Sequence, residues 1–126
     1  MQRRRDERGA AVVEFALILP VLVLFVFGIV EFGRAYSARI ELTAAVREGA
    51  RAVALGAGDA DAQNATKDGA PGLDRDRMTV TPSSCTVTPT PSNATVTATY
   101  PFEYTIPLLR TGTWTLKAKG VMRCGG

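Results

Sequence analysis

RGAAVVEFALILPVLVLFVFGIVEFGRA, residues 8–35, decides the fold of this chain. Residues 10–30 form an apolar run broken by one charge, Glu14. At about 1.5 Å per helical residue the run covers roughly the 30 Å hydrocarbon core of a bilayer. Pro20 lies inside it. Proline breaks helices in water, but a membrane helix tolerates it because neighbouring groups satisfy the freed carbonyl, so Pro20 reads as a kink within a span. A cleaved secretory signal is the rival reading. The basic start fits it, yet the run exceeds the usual ~7–15 apolar residues and holds a carboxylate. Small-x-small candidates, such as Ala35-Tyr36-Ser37, come only after charged Glu31 and Arg34.

Working outward, residues 31–56 contain no proline and keep a helical period. Phe32, Ala35, Tyr36, Arg39, Leu42, Val46, Ala50 and Val53 recur in steps of three and four, which predicts one packed face. Arg34, Glu41 and Glu48 fall on the other side, and Gly56 and Gly58 supply a stop. The helix from Ala10 to Leu55 is expected to measure about 70 Å, its outer half packing on a small head, on neighbouring helices, or standing as a plain stalk.

The head, residues 57–126, begins with a short helix expected at Asp59, capped by that residue and ended by Gly69, Pro71 and Gly72. Asp59 and Asp61 lack the glycine and distal glutamate of a calcium loop. From Met78 the period becomes two. Val96, Ala98, Tyr100, Phe102, Tyr104 and Ile106 share one parity, with threonines and Glu103 on the other, as a half-buried strand requires. Pro101 argues for an edge or a bulge. Pro107–Gly112 reads as a turn, after which Trp114, Leu116, Ala118, Met122 and Cys124 face one way and Lys117, Lys119 and Arg123 the other. The fold class expected is α+β: one long N-terminal helix, transmembrane in its first half, packed on an antiparallel sheet of three or four strands.

Composition narrows function. The chain has no histidine and two cysteines, which removes Ser-His-Asp and Cys-His catalysis and thiolate zinc sites. No metal or cofactor site is expected, and no enzyme. The net charge of +3 belongs mostly to the tail, where Arg3, Arg4, Arg5 and Arg8 outweigh Asp6 and Glu7. With no nucleic-acid-reading fold behind it, that cluster next to a span reads as a cytoplasmic anchor, not as a nucleic-acid contact. Cys85, which precedes Val87 in a short segment, and Cys124 are the natural disulfide pair if the head lies outside the cytoplasm; two buried thiols are the alternative. The triplets Asn64-Ala65-Thr66 and Asn93-Ala94-Thr95 match a glycosylation pattern common by chance.

Glu14 remains to be explained. A lone carboxylate in lipid is costly, so it is partnered, functional, or shallow enough to reach water. No basic residue lies within a turn of it. If a protease cuts between Gly9 and Ala10, the new α-ammonium sits at the tip of an apolar helix, and Glu14 of an axially offset neighbour is placed to meet it. Contacts of that head-to-tail kind do not close and propagate as a filament.

At this point the residues resemble a known family. Gly9 before a small pair, Glu14-Phe15, Ala16-Leu17-Ile18-Leu19-Pro20, Glu31-Phe32-Gly33-Arg34 and Arg47-Glu48-Gly49-Ala50-Arg51 are together similar to TadE-like pseudopilins of tight-adherence (Flp-type) pilus systems. The resemblance runs from about Arg8 to Ala54. It implies a type IV pilin-like layout and cleavage by a prepilin peptidase after Gly9, with Ala10 as the first mature residue. It also implies a role as minor pilin or assembly factor among other pilins, and residues 15–30, with Phe15 and Pro20, as packing surface together with Phe32. The expected layout is a leader at 1–9, a helix at 10–56 spanning the cell membrane at 10–30 with its N-terminus cytoplasmic, and an extracytoplasmic head. The alternative is an uncleaved single-pass protein whose β head binds an envelope ligand.

Overall fold

The structure is a computed structural model that describes residues 3–85 and 92–125, with side chains from residue 6 onward in the first helix. Helix α1 (Arg3–Ala54) runs without interruption through Pro20. Its 52 residues make it about 78 Å long. It starts earlier than the period predicted and ends where glycine was expected to stop it. Gly56 takes φ +95°, a conformation open to glycine. The Gly56 N–H donates to Val53 O (3.0 Å) and the Ala57 N–H to Ala52 O (3.0 Å). This paired arrangement satisfies carbonyls that the last turn leaves free.

Helix α2 (Asp59–Asp68) follows. The residue at its N-cap is Gly58, not Asp59 as the sequence suggested, and no side chain caps it. Asp59 accepts instead a hydrogen bond from Ser84 Oγ at 3.3 Å. A 3-10 turn at Arg75–Arg77, capped by the Asp74 carboxylate accepting from Asp76 N (3.0 Å), leads into the sheet.

Strands β1 (Thr79–Ser83), β2 (Asn93–Ile106) and β3 (Arg110–Arg123) form an antiparallel sheet in that order. The register sets Val80 opposite Ala98, Val96 opposite Gly120 and Phe102 opposite Trp114. β2 is central, yet β1 pairs with it only as far as Thr99. Pro101 therefore stands where β2 already has one open side, which a residue without an N–H tolerates. Pro82 occupies the edge strand β1 for the same reason. Val87, expected beside Cys85, lies outside the described residues.

The apolar parity of β2 faces α1 as predicted: Val96, Ala98, Tyr100 and Phe102 are buried. On β3, Leu116 and Ala118 are buried, whereas Trp114 and Met122 of the same parity are exposed. The packed face of α1 is Ala38, Leu42, Ala45, Val46, Ala50 and Val53. Phe32, Tyr36 and Arg39, which the helical period places on this stripe, are exposed instead. Below Leu42 the stripe continues through Ala38 and half-buried Ala35, one turn and two turns back on the same face.

The core is made mostly of small residues. Its largest fully buried side chains are Leu42, Val46, Val96 and Thr66. Small residues let the elements approach closely. A Cβ on Gly49 would collide with Thr66 Oγ1 of α2, and one on Gly120 with the Val46 carbonyl of α1. Thr66 keeps its hydroxyl satisfied by donating to Ala62 O at 2.8 Å. Close approach brings little apolar area per residue, and a head this small gains modest stability from burial alone.

Candidate functional site

Residues 9, 10 and 14 lie on the first third of α1, away from the head. Ala10 and Glu14 are four residues apart and share one helix face. Gly9 is helical, and a Cβ placed there meets nothing within 4 Å. Glycine costs up to about 1 kcal/mol in a helix interior relative to alanine, and nothing in the packing of this chain requires it at position 9. Glu14 is exposed on α1, and none of the ion pairs among the described residues involves it.

The apolar run is likewise free of the head. The most apolar 18-residue window of α1 is 0% buried within the molecule, so this stretch takes no part in the core of the head. Phe15, Leu17, Phe25 and Ile29 are each more than half exposed. Pro20 sits within the run, and Phe32 just beyond it is exposed as well. α1 is long and apolar enough to cross a membrane.

Where the run ends, side chains tie α1 to the head. Arg34 Nη1 donates to Glu31 Oε1 (2.7 Å), and its guanidinium lies 5.5 Å from the centroid of Phe102. That places a cation over an aromatic face, an arrangement worth about 0.5–1 kcal/mol at exposed sites. Gly72 N–H donates to Glu41 Oε2 (3.1 Å), and Arg77 Nη2 to Glu103 Oε1 (2.9 Å). Arg34, Glu41, Gly72, Arg77, Phe102 and Glu103 border a cleft of about 290 Å³ together with Ser37 and Tyr100. Its carboxylates Glu41 and Glu103 are each engaged in bracing the head, and Glu103 points outward as its parity indicated. Among the described residues no group of three or more His, Cys, Asp or Glu side chains is arranged to hold a metal ion.

At the far end of the head, Cys85 and Cys124 are joined in a disulfide with their Cα atoms 6.0 Å apart. Cys85 follows edge strand β1 and Cys124 follows edge strand β3, so the bridge ties the two edges of the sheet across β2. Cys85 Sγ lies 3.8 Å from the Val53 carbonyl oxygen, and Cys124 N–H donates to Ser92 O at 3.0 Å.

The structure thus separates the sequence-derived residues into two groups. The cysteines are brought together, 39 residues apart in the chain. Gly9, Ala10, Glu14, Phe15, Pro20 and Phe32 are displayed along α1 without being gathered into a pocket of the head. Sequence reasoning overlooked Gly120, which sets the helix–sheet distance, and the role of Gly49, which lets α1 approach α2. An isolated glycine within a strand, as at Gly120, marks a close backbone approach, and that signal was available.

Comparison with known proteins agrees with this division. No curated protein and no solved structure matches the chain. A family model described as TadE-like protein matches residues 9–51. The match opens on Gly9, covers the exposed apolar run, and closes within the packed part of α1; that third of the chain is similar to TadE-like protein.

Proposed function

We propose that this chain is a membrane-inserted, pilin-like subunit or assembly factor of a tight-adherence pilus. The observation that carries the reading is a coincidence of boundaries. The TadE-like match at residues 9–51 falls on one continuous helix whose apolar first half is unburied and whose second half carries the head. A pilus-associated, minor-pilin-like protein is what such a segment supports.

In this reading residues 1–9 form a cytoplasmic leader, residues 10–30 cross the cell membrane, and the head lies outside. The arginines before the span favour that orientation only modestly, since Arg34, Arg39 and Arg47 follow it. The disulfide adds support, because such bonds persist in oxidising compartments. A prepilin peptidase cuts after Gly9 and leaves the amine of Ala10 at the helix tip. Glu14 of a neighbouring subunit, offset along the axis by about one turn, meets that amine. Each subunit supplies one charge and receives the other, and Phe15, Pro20 and Phe32 belong to the surface that packs between helices. The chain is then a substrate of an enzyme, with no chemistry of its own.

Replacement of Gly9 tests the processing step. A side chain there has open space in this fold, so Gly9→Leu leaves the helix intact and alters only what a peptidase meets. Coexpressed with a prepilin peptidase, the wild-type chain is expected to shorten and Gly9→Leu to stay full length. Equal shortening of both refutes the assignment of the cleavage site.

A further inference from the structure

The end of the head opposite the disulfide approaches the membrane. Val96 lies at the level of Gly49, where a Cβ would come within 3.3 Å of Val96 Cγ1. Ten residues on, Ile106 and Trp114 line a groove with Gly28 and Phe32. From Gly49 back to Gly28 is about 31 Å along the helix, and from Val96 to Ile106 about 33 Å along the strand. β2 therefore runs down alongside α1 and reaches Gly28, two residues inside the apolar run. The turn that joins β2 to β3, Pro107–Leu109, extends on the order of 5 Å further toward the N-terminal end of α1.

That turn has the wrong chemistry for water. Hairpin turns use Gly, Asn, Asp and Ser, which tolerate left-handed backbone and hydrogen-bond to solvent. Here Leu108 takes φ +67°, a conformation that suits glycine or asparagine, and it is 92% exposed. Leu109 is 68% exposed, and Trp114 on the adjoining stretch of β3 is 58% exposed. Leu108 and Leu109 take no part in the buried core of the head. Tryptophan favours the boundary between headgroups and acyl chains, and Arg110, next after the turn, has a stem long enough to lie in that boundary with its guanidinium at the phosphates.

We propose that the tip of the β2–β3 hairpin is a second membrane anchor, seated in the outer leaflet beside the span. Its occupant is the phospholipid surface, continuous with the lipid that surrounds α1. The free backbone groups of the turn keep it at the wet boundary and out of the hydrocarbon centre. Two attachments fix the orientation of the whole chain about the axis of α1, which a single span does not. The inference rests on reading residues 10–30 as a membrane span.

Trp114 is the only tryptophan in the chain and reports on the site directly. The full chain is reconstituted in phosphatidylcholine nanodiscs, and its fluorescence is quenched with iodide or with lipid brominated near the headgroup end of the acyl chains. The expected result is loss of most iodide quenching relative to the denatured chain, with clear quenching by the brominated lipid. The double variant Leu108→Asp, Leu109→Asp is expected to regain iodide quenching and shift its emission to the red. Wild-type Trp114 open to iodide in a chain that stays with the disc overturns the anchor and leaves the span standing. A chain that fails to stay with the disc overturns both. Shielding that appears only with several chains per disc assigns the tip to contact with a second copy and overturns the lipid assignment.

Discussion

Removing the disulfide tests the head most severely. The core contains few large side chains, and six of its alanines, Ala45, Ala50, Ala62, Ala70, Ala94 and Ala98, are fully buried. Such residues bring elements together while withdrawing little apolar surface from water. Cys85–Cys124 closes a loop across 39 residues that contains all of β2 and β3. In the chain-entropy picture a loop of that length restricts the unfolded chain by about 4 kcal/mol. For a head of this size, that corresponds to a fall in melting temperature on the order of 20 °C. Cys124→Ser, Cys85→Ser and the double variant are expected to lose the same amount, because each removes one and the same bond. The assay is thermal unfolding of the full chain in detergent, followed by near-ultraviolet circular dichroism with and without reductant. Reductant is expected to bring the wild type down to the variants and leave the variants unmoved. A wild type that melts at one temperature in both conditions, or a serine variant that stays below it by an equal margin in reductant, refutes the reasoning. Either result makes the cysteines ordinary packed thiols.

Two further substitutions separate assembly from folding. Glu14→Ala is expected to be processed normally, since the acid lies beyond the scissile bond, but to lose subunit contacts; loss of only ~1.4 kcal/mol weakens association about tenfold. Cross-linking in membranes reads this, and unchanged cross-linking means that Glu14 sits shallow and unpaired. Gly49→Ala pushes a methyl group into Thr66 and is expected to destabilise the head by about 1–3 kcal/mol, while the equally helical Gly33→Ala, with open space around it, is neutral or slightly stabilising. Equal behaviour of the two in thermal unfolding contradicts the close α1–α2 approach.

The sequence made α1 legible because an uninterrupted apolar run and a downstream period of three and four have no common alternative at such length. β2 was legible because its parity holds from Val96 to Ile106. What period alone did not decide was where a face is covered. Trp114 and Leu116 share a parity, but Leu116 lies over the packed part of α1 and Trp114 reaches the exposed part near Gly28. On α1, Arg39 is three residues from Leu42 and Tyr36 three from Arg39, so steps of three carry the count off the face that Ala38, four residues back, shares with Leu42. The sheet covers the face with Ala38, Leu42 and Val46 and leaves Tyr36 and Arg39 exposed. The hairpin tip was visible as Pro-Leu-Leu-Arg within a turn. Its meaning required knowing that β2 runs the length of the outer helix and arrives at the apolar run. The residues proposed for processing and assembly are legible only as a motif, because the partners proposed for them are other molecules and no contact within one chain distinguishes them.

The central claim is that Glu14 tolerates lipid because cleavage creates an amine for a neighbour's Glu14 to meet. Mass spectrometry of the first residue of the native, membrane-extracted protein tests it most directly. The account predicts Ala10 at the amino terminus; a chain that still begins at Met1 contradicts it.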